Sequence, residues 1–188
     1  MQVKAILLTP LLAAGIVSAA PQKSTQFEAL ALRSGSEIHF SGLQAAKSHI
    51  STNLKKQVAS CDKGKTDNRA TFNLIGDELF LYKTDNPPQQ LYVDRSGMGQ
   101  GVLGYTTGVE PIPRNGEQNG WKIDKNGNLT FKGKGFIACP NSKKAGGSYS
   151  VWVDAGVSNP GFNKNCVGFS ARTFKIEKPT GCLYTQQE

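Results

Sequence analysis

Apolar and polar residues alternate at period two through most of this chain, and Gly, Asn and Asp interrupt the alternation every few residues. A polypeptide patterned this way buries one face of short strands joined by tight turns; it lacks the continuous apolar stripe that a helix needs. Strands are expected at 72–75, 78–82, 90–94, 101–105, 121–123, 128–131, 136–139, 149–153 and 169–176. The best helical window, 43–56, contains Ser48, Ser51, Thr52 and Asn53, whose side chains compete for backbone hydrogen bonds. No more than a short helical turn is expected there. Lys125-Asn126-Gly127 predicts a hairpin with a type I′ turn, because Asn-Gly accepts positive φ.

Aromatic residues open four of the apolar runs, at Phe27, Phe72, Trp121 and Phe169, with intervals of 45, 49 and 48 residues. Recurrence at 40–50 residues suits a β architecture built from repeated units. Three intervals favour a β-trefoil-like three-fold barrel, with a β-sandwich as the alternative. The expected fold class is therefore all-β, in a single domain.

Residues 1–20 stand apart from this pattern. One Lys is followed by an apolar run and then small residues, the layout of a secretory signal peptide. Cleavage after Ala19 would leave 169 of the 188 residues, as one β domain over 20–188, and would remove Lys4, lowering the formal charge from +8 to +7. Export makes the four cysteines, Cys61, Cys139, Cys166 and Cys182, read as disulfides, and no CxxC spacing supports zinc. Four cysteines allow three connectivities. The favoured one joins Cys139 to Cys166, linking the apolar pieces FIAC and CVGF, and Cys61 to Cys182, closing a loop of about 120 residues worth roughly 3–5 kcal/mol in the chain-entropy model. The C-terminal TGCLYTQQE lacks the hydrophobic stretch of a GPI signal, so no membrane anchor is expected.

Chemistry-bearing motifs are sparse. The chain has only 2 His and no cofactor motif, and neither a cofactor nor a metal site is expected. Residues 36–40 alternate as a strand, so Glu37 and His39 are expected to share a face, which is the single arrangement resembling an oriented general base. A half-buried hydrogen bond explains the pair as well, and no catalytic residue is assigned. His49 reads as loop. Two basic stretches, Lys55, Lys56, Lys63, Lys65 and Arg69, then Lys122, Lys125, Lys132, Lys134, Lys143 and Lys144, raise the question of phosphate backbones or anionic polysaccharide. A solvated lysine-rich surface is the preferred reading, and nucleic acid is not the expected partner. Gly97-Met98-Gly99-Gln100-Gly101 has alternate glycines but no helix after it, so it reads as a turn and not as a phosphate loop. Asn128-Leu129-Thr130 is the only N-x-S/T sequon, making Asn128 the candidate glycosylation site. Trp152, Tyr92 and Tyr105 are candidate sugar-stacking side chains, although the core is the preferred reading for each.

Seven segments carry a resemblance: ALRSGSEIHF (31–40), LQA (43–45), QLYVDRSG (90–97), GVLGYTTG (101–108), FIACP (136–140), CVGF (166–169) and CLYT (182–185). Together they resemble the fungal secreted cell-wall proteins of the phialide protein (phiA) and IgE-binding type, over about 27–185. The resemblance implies a non-enzymatic protein of the cell wall, involved in forming phialides and conidia and recognised as an allergen or antigen in some relatives. It implies no catalytic residues. The expected function is thus a structural or interaction role in the wall, with wall polysaccharide or other wall components as partners. The alternative is a secreted effector or toxin acting on a competitor or host, ribonuclease-like in its enzymatic form.

Overall fold

The computed structural model describes residues 23–62, 68–83 and 87–186; residues 1–19, the expected leader, as well as Lys63 and Lys65, lie outside them. Fifteen strands account for the ordered framework of the described residues: β1 (Ser24–Leu32), β2 (Leu43–Ala46), β3 (His49–Thr52), β4 (Ala59–Cys61), β5 (Phe72–Ile75), β6 (Glu78–Leu81), β7 (Gln89–Asp94), β8 (Val102–Thr107), β9 (Gly116–Glu117), β10 (Trp121–Ile123), β11 (Asn128–Phe131), β12 (Phe136–Pro140), β13 (Tyr149–Val153), β14 (Val167–Lys175) and β15 (Cys182–Tyr184). The single helical feature among them is a 3₁₀ turn at Pro160–Phe162.

Nine of these strands form a closed ring, every pairing antiparallel, in the order β1-β5-β6-β7-β8-β3-β13-β12-β14 and back to β1. Closure removes the open edges that a sandwich would keep. The period-two pattern fills the barrel: Phe27, Ala29 and Ala31 of β1, Leu79 and Leu81 of β6, Leu91 and Val93 of β7, and Val151 and Val153 of β13 all point inward and are buried. Alanines on β1, β12 and β14 leave room for the rings packed beside them, Phe27 on Phe72 with centroids 5.6 Å apart and Phe136 on Phe169 at 5.8 Å. The barrel is the architecture expected from the aromatic spacing, but the four aromatics do not mark equivalent strands. Phe27 and Phe72 face each other directly on neighbouring β1 and β5, whereas Trp121 lies on the β10–β11 hairpin, outside the ring, which it joins by strand pairing through β14.

Local structure departs from expectation in two instructive places. The 43–56 window forms no helical turn; it is the β2–β3 hairpin, in which Ala46 faces His49 across Lys47 and Ser48. Those two residues have φ of 52° and 60°, the paired positive values of a type I′ turn. At Lys125-Asn126-Gly127 the expected hairpin is present, but only Gly127, at φ 76°, is left-handed. The Gly127 N–H donates to the Asp124 carbonyl at 3.0 Å, and Asp124 Oδ1 accepts from the Asn126 and Asn128 N–H groups, each at 2.8 Å. Asp124 therefore heads a tight turn followed by a left-handed glycine, the three-residue alternative to type I′.

The C-terminal segment closes one end of the barrel. β15 pairs with β4 so that Cys182 faces Cys61, and these two cysteines are disulfide-bonded; the second bond joins Cys139 to Cys166. Buried Gln89 treats Tyr184 as an additional strand: its Nε2 donates to the Tyr184 carbonyl and its Oε1 accepts from the Tyr184 N–H, both at 2.8 Å. The Tyr184 hydroxyl accepts from the Thr71 N–H at 2.9 Å, and burial pushes its pKa up to about 12.

Candidate functional site

Along the edge opposite β7, strand β8 meets two partners. Gly104 faces His49 of β3, and Val102 faces Trp152 of β13, so Leu103 between them is opposite neither. Farther along, β3 and β13 pair with each other at Ser51–Ser150 and Thr52–Tyr149. This branching opens a groove of about 350 Å³ at the barrel wall, lined by Ile50, Leu103, Val151, Trp152 and Leu54. Lys47, His49 and Asn141 also line it, and the lining contains no carboxylate. A volume of this size lies in the range of small-molecule sites and accommodates one or two sugar rings.

Each part of the groove is held from behind. The Trp152 indole N–H donates to Ser150 Oγ at 3.0 Å, and that hydroxyl donates to the Cys139 carbonyl at 3.3 Å. The indole is half-buried with its one polar atom already satisfied, so what it offers to the groove is apolar ring surface. On the other side Gly161 packs against it so closely that an added Cβ would stand 2.7 Å from Cη2. The Lys47-Ser48 turn is held by the C-terminal segment: the Lys47 N–H donates to Thr185 Oγ1 and the Ser48 N–H to the Thr185 carbonyl, each at 3.1 Å.

The other expected side chains are placed differently. Tyr105 is buried with its hydroxyl donating to the Thr185 carbonyl, and burial raises its pKa, so it belongs to the core. Tyr92 covers Gly104 across the β7–β8 pair, where an added Cβ would lie 2.7 Å from its hydroxyl oxygen. Glu37 and His39 do not form an acid–base pair, because 36–40 is a turn and not a strand. His39 Nδ1 accepts from the Arg33 N–H at 3.1 Å, while Glu37 accepts from the Gly146 N–H at 3.0 Å and from the Tyr149 hydroxyl at 3.1 Å. Asn128 is half-buried at the start of β11, with Nδ2 3.4 Å from Asp124 Oδ2. Lys47, His49 and Asn141 of the groove were not recognisable in the sequence, since what brings them together is the branching of β8.

A second cleft, of about 570 Å³, is charged and includes Arg95, Glu117, Lys134 and Asp154. Arg95 grips Glu117 with two hydrogen bonds of 2.8 and 3.0 Å, and Lys132 pairs with the same carboxylate. These bonds, the one from Arg95 foremost, lower the Glu117 pKa to about 2. A carboxylate held that firmly is a clamp and a poor proton donor. Arg95 and Lys132 both lie 5.6 Å from the Phe131 ring centroid, so the clamp fastens the β10–β11 hairpin to the turn after β7. Among the described residues no group of three His, Cys, Asp or Glu side chains could hold a metal ion, and no helix is long and apolar enough to cross a membrane.

A barrel tied by two disulfides, one closing its C-terminal end and the other bracing the strands beside an open aromatic groove, defines the class: a disulfide-stabilised all-β protein of an oxidising, extracellular compartment. Comparison with known proteins identifies the family. The family described as PhiA-like secreted protein matches residues 27–185. A cell wall protein phiA of Aspergillus fumigatus is 46% identical over 188 residues, covering 99% of this chain and all of the relative. Proteins of the same name from Emericella nidulans and Arthroderma benhamiae are 47% identical over 169 residues (89% of this chain, 91% of the relative) and 39% identical over 192 residues (98% and 100%). No solved structure matches. The chain belongs to the PhiA-like secreted protein family, and it is a secreted fungal cell-wall protein.

Proposed function

We propose that this protein is a non-catalytic component of the wall that holds wall polysaccharide in the Trp152 groove, and that it serves in the walls of phialides and conidia. One observation carries the binding part: Trp152 is pinned by Ser150 and Gly161, and presents ring surface beside a rim of polar side chains. Pyranose rings stack on such a surface through their C–H faces while their substituents reach polar neighbours. The effector reading lacks a comparable site, since His39 and Glu37 are committed to separate backbone and side-chain partners.

Retention on insoluble wall polymers tests the proposal. Wild-type protein is expected to sediment with chitin or β-glucan, and Trp152→Ala to lose about tenfold in affinity, the scale of one aromatic contact. A wild-type protein that stays in the supernatant with every polymer would remove the binding role.

A further inference from the structure

Phe162 is 97% exposed and is held at φ 60°. A bulky side chain in the left-handed region is strained, and an exposed ring contributes no burial to offset that strain. The loop nonetheless fixes this conformation from several sides. The Gly161 N–H donates to Gln100 Oε1 at 2.8 Å, Asn163 Nδ2 donates to the Pro160 carbonyl at 2.7 Å, and the Cys166 N–H donates to Asn159 Oδ1 at 3.2 Å. The Cys139–Cys166 disulfide anchors the loop beyond them. A residue that costs stability, packs against little and is rigidly displayed fits binding better than folding.

Its position gives the ligand. Gly161, the preceding residue, packs on the edge of Trp152, whose indole borders the groove. Phe162 therefore follows directly on the residue that touches the indole of the groove. We infer that Phe162 is a second stacking residue, and that the two rings together engage successive sugars of a β-1,4-linked N-acetylglucosamine chain. This rests on the polysaccharide-binding reading of the Trp152 groove. The choice of acetamido sugars follows from the lining: Lys47, Ser51 and Asn141 bring hydrogen-bond donors and there is no carboxylate, which suits a ligand rich in amide acceptors better than one bearing only hydroxyls.

Titration of the intact secreted protein with chitobiose, chitohexaose and laminarihexaose tests the inference. Phe162→Ala should weaken chitohexaose about tenfold and leave chitobiose unchanged, whereas Trp152→Ala should weaken both. Phe162→Gly should show the same loss for chitohexaose with an equal or higher Tm, because glycine adopts this φ freely. Wild-type binding that Phe162→Ala leaves intact overturns the inference and spares the groove reading. Tighter binding of laminarihexaose than of chitohexaose overturns the acetamido assignment. A lower Tm in Phe162→Gly shows that the ring serves the fold and also overturns it. Failure of the wild type to bind either hexasaccharide removes the groove reading, and this inference with it.

Discussion

Glu117 illustrates how a single side chain works through its charge in this protein. Its carboxylate joins Arg95, beside β7, to Lys132, beyond β11, and so couples the hairpin arm to the barrel. Its pKa falls from the ordinary 4.5 to about 2, with the Arg95 hydrogen bond the largest cause. Because the folded value is the lower one, the stabilisation is complete above the unfolded pKa and is lost as pH falls from there through the folded value. Thermal melts of the wild type should therefore drop more steeply between about pH 5 and pH 2 than those of Glu117→Gln, so that the two curves converge in acid. Parallel curves across that range would show that the clamp is open in solution. Gln89 works through shape: with both amide atoms bonded to Tyr184, it replaces the strand that would otherwise satisfy the C-terminal segment.

Strand pairing around β8 depends on glycine where backbones approach. At Gly101 an added Cβ would stand 2.0 Å from the Val153 carbonyl oxygen, and φ is 98°. The Val153 N–H donates to the Gly101 carbonyl at 2.8 Å, so this contact sets the spacing of β8 and β13 next to the groove. Gly101→Ala should cost about 2–4 kcal/mol in urea denaturation, combining overpacking with a disfavoured φ. An unchanged midpoint would mean that β8 and β13 separate easily there. Elements also differ in how visible they are beforehand. Strands such as β6, β7 and β11 alternate cleanly and face a single core, so their burial follows their pattern. β2, β3, β4, β9 and β15 are two to four residues long, and their pairing partners define them more than their composition does. The β2–β3 hairpin turns at Lys47-Ser48, which carries no glycine; Thr185, 138 residues away from Lys47, supplies the hydrogen bonds that hold it.

Over the whole molecule, the long disulfide connects folding to the groove. Cys61–Cys182 fastens β15, β15 positions Thr185, and Thr185 holds the turn that presents Lys47 to the rim. With a separation of 121 residues it constrains the unfolded chain more than Cys139–Cys166, whose separation is 27. The chain-entropy relation gives about 5 kcal/mol for the first and about 3.5 for the second. The Cys61→Ala/Cys182→Ala double variant should accordingly lose more stability than Cys139→Ala/Cys166→Ala. It should also show faster amide hydrogen exchange at Lys47 and Ser48. If exchange there is unchanged, the C-terminal segment stays docked without its covalent tie.

The amino-acid sequence by itself determined the all-β class, most of the long strands, an extracellular setting for the cysteines and the family, because period-two alternation, turn residues and near-neighbour motifs are local properties. Trp152 was visible as a candidate for the same reason, being an aromatic residue at an outward position of a readable strand. Tertiary structure alone decided that the sheet closes as nine strands, that Tyr105 is core, that Glu37 and His39 work apart, and that Trp152 has Lys47 and His49 as neighbours. These outcomes depend on where β8 divides between β3 and β13 and on contacts more than a hundred residues apart. Such contacts are fixed by packing volume and by satisfying buried backbone groups across the whole barrel, and a local pattern contains neither quantity.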